Sequence, residues 1–286
     1  MTFVDRYDLV RPDATIRYWT GGAAGGRTIV LLHGATLDHR AWSPQVDVLQ
    51  DRFRLVVPDL RAHGESTGSF DFEAAVHDVF ALLDELPAGR VVLVGLSLGG
   101  NLAQEVVRRA SDRVSAIVVA DATCNTGARH PLATSITVAA LSSHAMLPGN
   151  HFAQYAAQMI AMDPQVQRYA LDANAHRPNR ETVRILTSLL SGALRPEQDY
   201  RLPVPALLVH GQLDHLGDIA LSTRAWAQRE PLAEYAVIPT AGHASNLDNP
   251  AAFTAALLAF LDRVLPPSDA EQPSSPTERA ADLHRR

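Results

Sequence analysis

Ser97 stands in Gly95-Leu96-Ser97-Leu98-Gly99, directly after the apolar run Val91-Val92-Leu93-Val94 and ahead of Leu102, Val106 and Val107 at helical spacing. A serine on a sharp turn between a strand and a helix is exposed as a nucleophile. The turn needs residues without bulk two positions before and after it, which Gly95 and Gly99 supply. The helix that follows aims unpaired N–H groups at any negative charge forming on the attacked group. Gly64-Glu65-Ser66-Thr67-Gly68 has the same spacing but follows the polar run Pro58 to His63, and no helical pattern starts there. Ser66 therefore reads as a turn residue.

A serine hydroxyl needs a base, and the base needs an acceptor that fixes its tautomer. On a strand-elbow-helix frame these partners follow in the order Ser, acid, His. His243, in Thr240-Ala241-Gly242-His243-Ala244 between the last expected strand and the final helix, is the expected base. The acid is expected at Asp214, at the end of Val209-His210-Gly211-Gln212-Leu213-Asp214, with Asp218 and Asp121 as alternatives because such a relay is defined by geometry. His215 reads as a wall residue. The oxyanion needs two N–H donors, expected from Leu98 and from Ala35 in the loop His33-Gly34-Ala35, where His33 organises the loop. This is the machinery of acyl transfer.

The elements that would hold it alternate. Short β-branched runs at Thr28–Leu32, Arg54–Val57, Arg90–Val94, Val114–Ala120, Ala206–Val209 and Glu234–Ile238 predict strands, several apolar without alternation as in parallel sheets covered on both faces. Phe72, Val76, Val79, Phe80, Leu83 and Leu86 predict a helix, as do Phe253, Leu257, Phe260, Leu261 and Val264 after the start signal Asn249-Pro250. The expected fold class is α/β, a doubly wound, mostly parallel sheet. Residues 1–123 and 201–265 form its core. Residues 124–200 lack a convincing strand and are expected to be a helical cap insertion, while the Pro- and Ser-rich residues 266–286 are expected to be a disordered tail.

Composition narrows the function classes. The chain has 286 residues, 47% hydrophobic and 20% charged, with a formal net charge of -6. Its basic residues, all arginine, are scattered, so no nucleic acid partner is expected. The single Cys124 cannot form an intramolecular disulfide. With no apolar stretch of about 20 residues and no basic start before an apolar run, no membrane contact is expected, and the protein is expected to be cytoplasmic. No metal-binding His cluster or phosphate loop is evident, so no cofactor is expected; the partner is a small-molecule substrate.

Taken in order, Leu32-His33-Gly34, Asp38 with Trp42, Val57-Pro58-Asp59-Leu60-Arg61-Ala62-His63-Gly64-Glu65-Ser66, the Ser97 elbow, Gly211-Gln212-Leu213-Asp214 and Gly242-His243 resemble the α/β-hydrolase superfamily, within its esterase, enol-lactonase and cofactor-free haloperoxidase branch. Two departures are Ala62, where Gly is usual, and the lack of the Pro common after the acid. Ser rather than Asp at position 97 argues against enzymes that attack through a carboxylate. The resemblance implies cleavage of an ester, lactone or related acyl bond; carbon-carbon bond hydrolysis, a tailoring step in secondary metabolism and a ligand receptor that keeps the triad are the alternatives. Trp42, Met146, Phe152, Tyr155, Met159 and Met162 are candidates for an apolar pocket lining, although helix packing accounts for the cap residues equally.

Overall fold

A computed structural model describes residues 5–127 and 151–265, together with 139 and 143. Its eight-stranded sheet runs β1-β2-β4-β3-β5-β6-β7-β8. The strands are β1 Asp5–Arg11, β2 Ala14–Gly22, β3 Thr28–Leu32, β4 Arg54–Pro58, β5 Val91–Leu96, β6 Val114–Ala120, β7 Ala206–Gly211 and β8 Ala233–Ile238. Strands β3 to β8 are parallel, and β2 pairs antiparallel with both β1 and β4. The helices are α1 Ser43–Leu49, α2 Phe72–Glu85, α3 Leu98–Arg109, α4 His151–Ile160, α5 Pro164–Ala173, α6 Asn179–Gly192, α7 Ile219–Arg229, α8 Ser245–Asp248 and α9 Pro250–Val264.

Why the central strands read as unbroken apolar runs is visible in their packing. Val30, Leu32, Leu93, Ile117 and Leu208 enter one core with Leu102 and Val106 of α3 and Val76 and Val79 of α2. Their neighbours Ile29, Leu31, Val92, Val94, Val118 and Leu207 enter the other, with Val46 and Leu49 of α1 and Leu257 and Phe260 of α9. Successive side chains point to opposite faces, so both must be apolar when both faces are covered. Each such side chain contributes roughly 1.5–3 kcal/mol on burial. The start signals hold too: the Asn249 side chain accepts the Ala252 amide of α9, and the Asp71 side chain accepts that of Ala74 in α2.

The hairpin β1-β2 is an addition to the six strands expected. In β1 only Leu9 is buried, and the strand is otherwise exposed or half-buried; at an edge, charged residues cost nothing and mask the strand signal. Between β6 and β7 the described elements are helical, α4 to α6. Residues 266–286 and most of 128–150 lie outside the described residues. Among the described residues, no helix is long and apolar enough to cross a membrane.

Candidate active site

Ser97 follows the central strand β5 with φ 50 and ψ -115, a left-handed backbone that a non-glycine residue adopts only under constraint. The constraint is local. A β-carbon on Gly95 would lie 2.3 Å from the Gly99 backbone, and one on Gly99 would lie 2.1 Å from the Leu32 carbonyl oxygen. The Ser97 amide donates to Ala120 of β6 at 2.8 Å, anchoring the elbow to the neighbouring strand. Leu98 is the first residue of α3, so its N–H faces out from the helix end. Ser97 is half-buried between buried neighbours.

The structure brings three of the expected residues together. Ser97 Oγ lies 2.9 Å from Nε2 of His243, and Nδ1 of His243 lies 3.0 Å from Oδ2 of Asp214. A carboxylate only accepts, so Nδ1 carries the ring proton and Nε2 is left to accept the Ser97 hydroxyl. Asp214 is held in turn: its Oδ1 accepts the Leu216 amide at 2.9 Å. The loops carrying acid and base are stitched edge to edge, with the Leu213 amide donating to Ala241 at 2.8 Å. Gly211 permits this approach, since a β-carbon there would lie 2.0 Å from the Gly242 oxygen. Burial disfavours a charged His243, but the hydrogen bond and charge of Asp214, joined by Asp121, outweigh it and hold the imidazole above its ordinary pKa.

Asp121 and Asp218 take other places. Asp121 is fully buried at the end of β6, where Oδ1 accepts the Gly211 amide at 2.7 Å and Oδ2 accepts the Ser245 amide and hydroxyl. It braces the ends of both loops from behind rather than touching the imidazole. Desolvation, aided by the charge of Asp214 and opposed by His243, pushes its carboxyl up to about 7. Asp218 is exposed at the start of α7, and His215 is exposed.

The expected oxyanion loop adjoins Ser97, for a β-carbon on Gly34 would lie 3.5 Å from that of Ser97. His33 organises it, its Nδ1 donating to Gly34 O at 2.8 Å and its Nε2 accepting the Leu60 amide at 2.9 Å. Both nitrogens are thus used by the neutral ring, in keeping with the lowering of its pKa by burial. Ser66 is indeed a turn residue: its hydroxyl donates to Asp59 O at 2.7 Å and accepts the Arg17 amide at 2.8 Å.

The pocket candidates fall in different surroundings. Trp42 is fully buried beside Phe253, with ring centroids 6.1 Å apart, in the core under α9 and not in a pocket wall. Tyr155 is 53% exposed on α4, a solvent-facing position. Met159 is half-buried, while Met146 and the Phe152 side chain lie outside the described residues. Met162 lies against Gly242, beside the base. Sequence reasoning missed Asp248, whose Oδ2 accepts the Gly242 amide at 2.7 Å and whose Oδ1 accepts the Asp163 amide at 2.9 Å, tying the His243 loop to the start of α5. An Asp near a helix end carries no local mark of such a role.

Asp38, His39 and Asp59 group donor atoms of metal-ligating type. Those oxygens are already engaged. Asp38 accepts from Arg40 and Tyr169, and Asp59 accepts from the His39 amide and ring and the Glu65 amide. The group reads as a network bracing the loop after β3.

The alpha/beta hydrolase family model matches residues 29–257. The chain belongs to that family, and is a hydrolase with its fold. Among curated relatives, it is 30% identical to a pimeloyl-[acyl-carrier protein] methyl ester esterase of Pectobacterium carotovorum over 85% of this chain and 97% of that one. It is 28% identical to the dihydrolipoyllysine-residue acetyltransferase component of the acetoin cleaving system of Pseudomonas putida, over 86% of this chain and 66% of that protein's length. Among solved structures, the enol-lactonase from Burkholderia xenovorans LB400 superposes with a TM-score of 0.76 at 26% identity, covering 87% of this chain and 96% of that one.

Proposed function

We propose that the chain is a serine hydrolase that cleaves a carboxylic ester, a lactone or a related acyl bond through an acyl-enzyme. The observation that carries this reading is the hydrogen-bonded series Ser97, His243, Asp214 at the carboxyl ends of β5, β8 and β7. In the proposed mechanism His243 Nε2 takes the Ser97 proton while Oγ bonds to the acyl carbon. The carbonyl oxygen becomes an oxyanion, met by the N–H groups of Leu98 and Ala35. Asp214 stabilises the imidazolium, which then protonates the departing alcohol oxygen as the carbon-oxygen bond breaks. Water repeats the sequence: His243 takes its proton, the hydroxide bonds to the acyl carbon, and the Ser97 oxygen leaves with the proton.

The esterase and enol-lactonase names among the relatives support an ester-type bond, at identities that leave the particular substrate open to choice by the cap. A panel of p-nitrophenyl esters and small lactones, offered to the wild type and to Ser97→Ala, tests the reading. Turnover of at least one by the wild type alone supports it; no turnover of any member, or equal turnover by both proteins, counts against it.

A further inference from the structure

The loop expected to carry the oxyanion donor Ala35 is built on an unfavourable residue. Gly34 O accepts the Leu37 amide at 3.3 Å, closing a turn over Ala35 and Thr36, and Thr36 adopts φ 66. That is a φ that glycine or asparagine takes readily in a turn, and for a β-branched residue it is an outlier. The Thr36 side chain does not repay this, since its hydroxyl is buried with no partner among the described residues. Such strain persists only where the surroundings impose it.

What imposes it comes from the helical segment between β6 and β7. Asn174, just past the end of α5, donates Nδ2 to Thr36 O at 2.6 Å and to Ala170 O at 2.8 Å. Its Oδ1 accepts from Arg177, whose other terminal nitrogen donates to Ala62 O at 2.9 Å in the loop after β4. Tyr169 of α5 donates to Asp38 Oδ1 at 2.9 Å, and Arg40 donates to Asp172 at 2.8 Å. One face of α5 and its C-terminal turn thus grip the backbone and side chains of residues 36–40. The carbonyl of the strained residue is one of these points.

We propose that Asn174 is a positioning residue for the oxyanion hole, pinning the Thr36 carbonyl so that the turn presents the Ala35 N–H to the reacting acyl group beside Ser97. This deepens the reading above and rests on it. The helical segment then serves the chemical step as well as covering the site. Because the N–H is needed most as charge develops on oxygen, loosening the turn weakens transition-state stabilisation more than substrate binding.

The test measures kcat and KM on a p-nitrophenyl ester, and inhibition by a boronic acid that forms a tetrahedral adduct on serine. The proteins are the wild type, Asn174→Ala, Asn174→Asp, Thr36→Gly and Thr36→Gly combined with Asn174→Ala. Asn174→Asp keeps size and the acceptor for Arg177 while removing the donor to Thr36, so it stands in if the alanine variant folds poorly. The expected result is a loss in kcat of about tenfold or more, as for a donor displaced by a fraction of an ångström, with KM within about twofold and the boronate weakened in parallel with kcat. Glycine holds the turn without the tether, so Asn174→Ala costs less kcat when combined with Thr36→Gly than it does alone. Wild-type kcat in both Asn174 variants overturns the proposal, as does an equal loss with and without Thr36→Gly. A wild type inactive on the ester panel and unreactive at Ser97 overturns the serine-hydrolase reading itself; an active wild type with indifferent Asn174 variants overturns this inference alone.

Discussion

Gly99 approaches Leu32 so closely that a β-carbon on the glycine would lie 2.1 Å from the leucine carbonyl oxygen. The turn at Ser97 is therefore wedged against the end of β3, the strand that leads into the loop proposed to carry the oxyanion donor. Gly99→Ala must push α3 and β3 apart. The expected cost is about 3 kcal/mol, typical of overpacking in a dense interior, read as a lower urea midpoint at unchanged slope. A midpoint equal to that of the wild type contradicts the packing described.

The bond between Asp214 and His243 sets both tautomer and charge. Asp214→Asn leaves the shape intact but lets the ring adopt the wrong tautomer, and kcat is expected to fall by about 10⁴-fold, the loss known for this change in the serine protease relay. The pH dependence follows the raised pKa of His243. Protonated His243 cannot accept the Ser97 proton, so kcat/KM falls as pH drops through a value above the ordinary 6.5 of histidine. In the Asn variant the inflection moves to lower pH, because the larger of the two influences that raise it is gone and only the charge of Asp121 remains. An inflection that stays in place argues that another carboxylate governs the imidazole.

Asp121 and Asp214 are expected to differ in what their removal costs, stability for the first and turnover for the second. The Asp121 carboxyl titrates at about 7 when folded against an ordinary value of 3.8. Between those values the folded chain holds a proton that the unfolded chain has released, so stability falls as pH rises across the window. Asp121→Asn is expected to flatten that slope in melting curves taken from about pH 4.5 to about pH 7.5, and to retain far more kcat than Asp214→Asn. A variant as inactive as Asp214→Asn assigns the acid to Asp121 instead.

Much of this was legible in the sequence where chemistry leaves a local mark. The glycines on either side of Ser97 are demanded by close backbone approach, and the unbroken apolar strands by two covered faces. The partner of His243 was not decided locally: β6 and β7 are neighbours, each is followed by a carboxylate, and only the path of the His243 loop puts its Nδ1 against Asp214 rather than Asp121. Trp42 and Tyr155 show the converse limit, since an aromatic residue near a motif fits a core or a surface as readily as a pocket. Asn174 and Asp248 bind backbone groups of Thr36 and Asp163 across long sequence separations, which no residue pattern announces.

The most direct test of the central claim is reaction of the intact protein with a fluorophosphonate, followed by peptide mass spectrometry and assay of ester turnover in wild type and Ser97→Ala. One adduct on Ser97, absent in the variant together with its turnover, is the predicted result. An adduct on another serine such as Ser66, or full turnover by Ser97→Ala, contradicts the account.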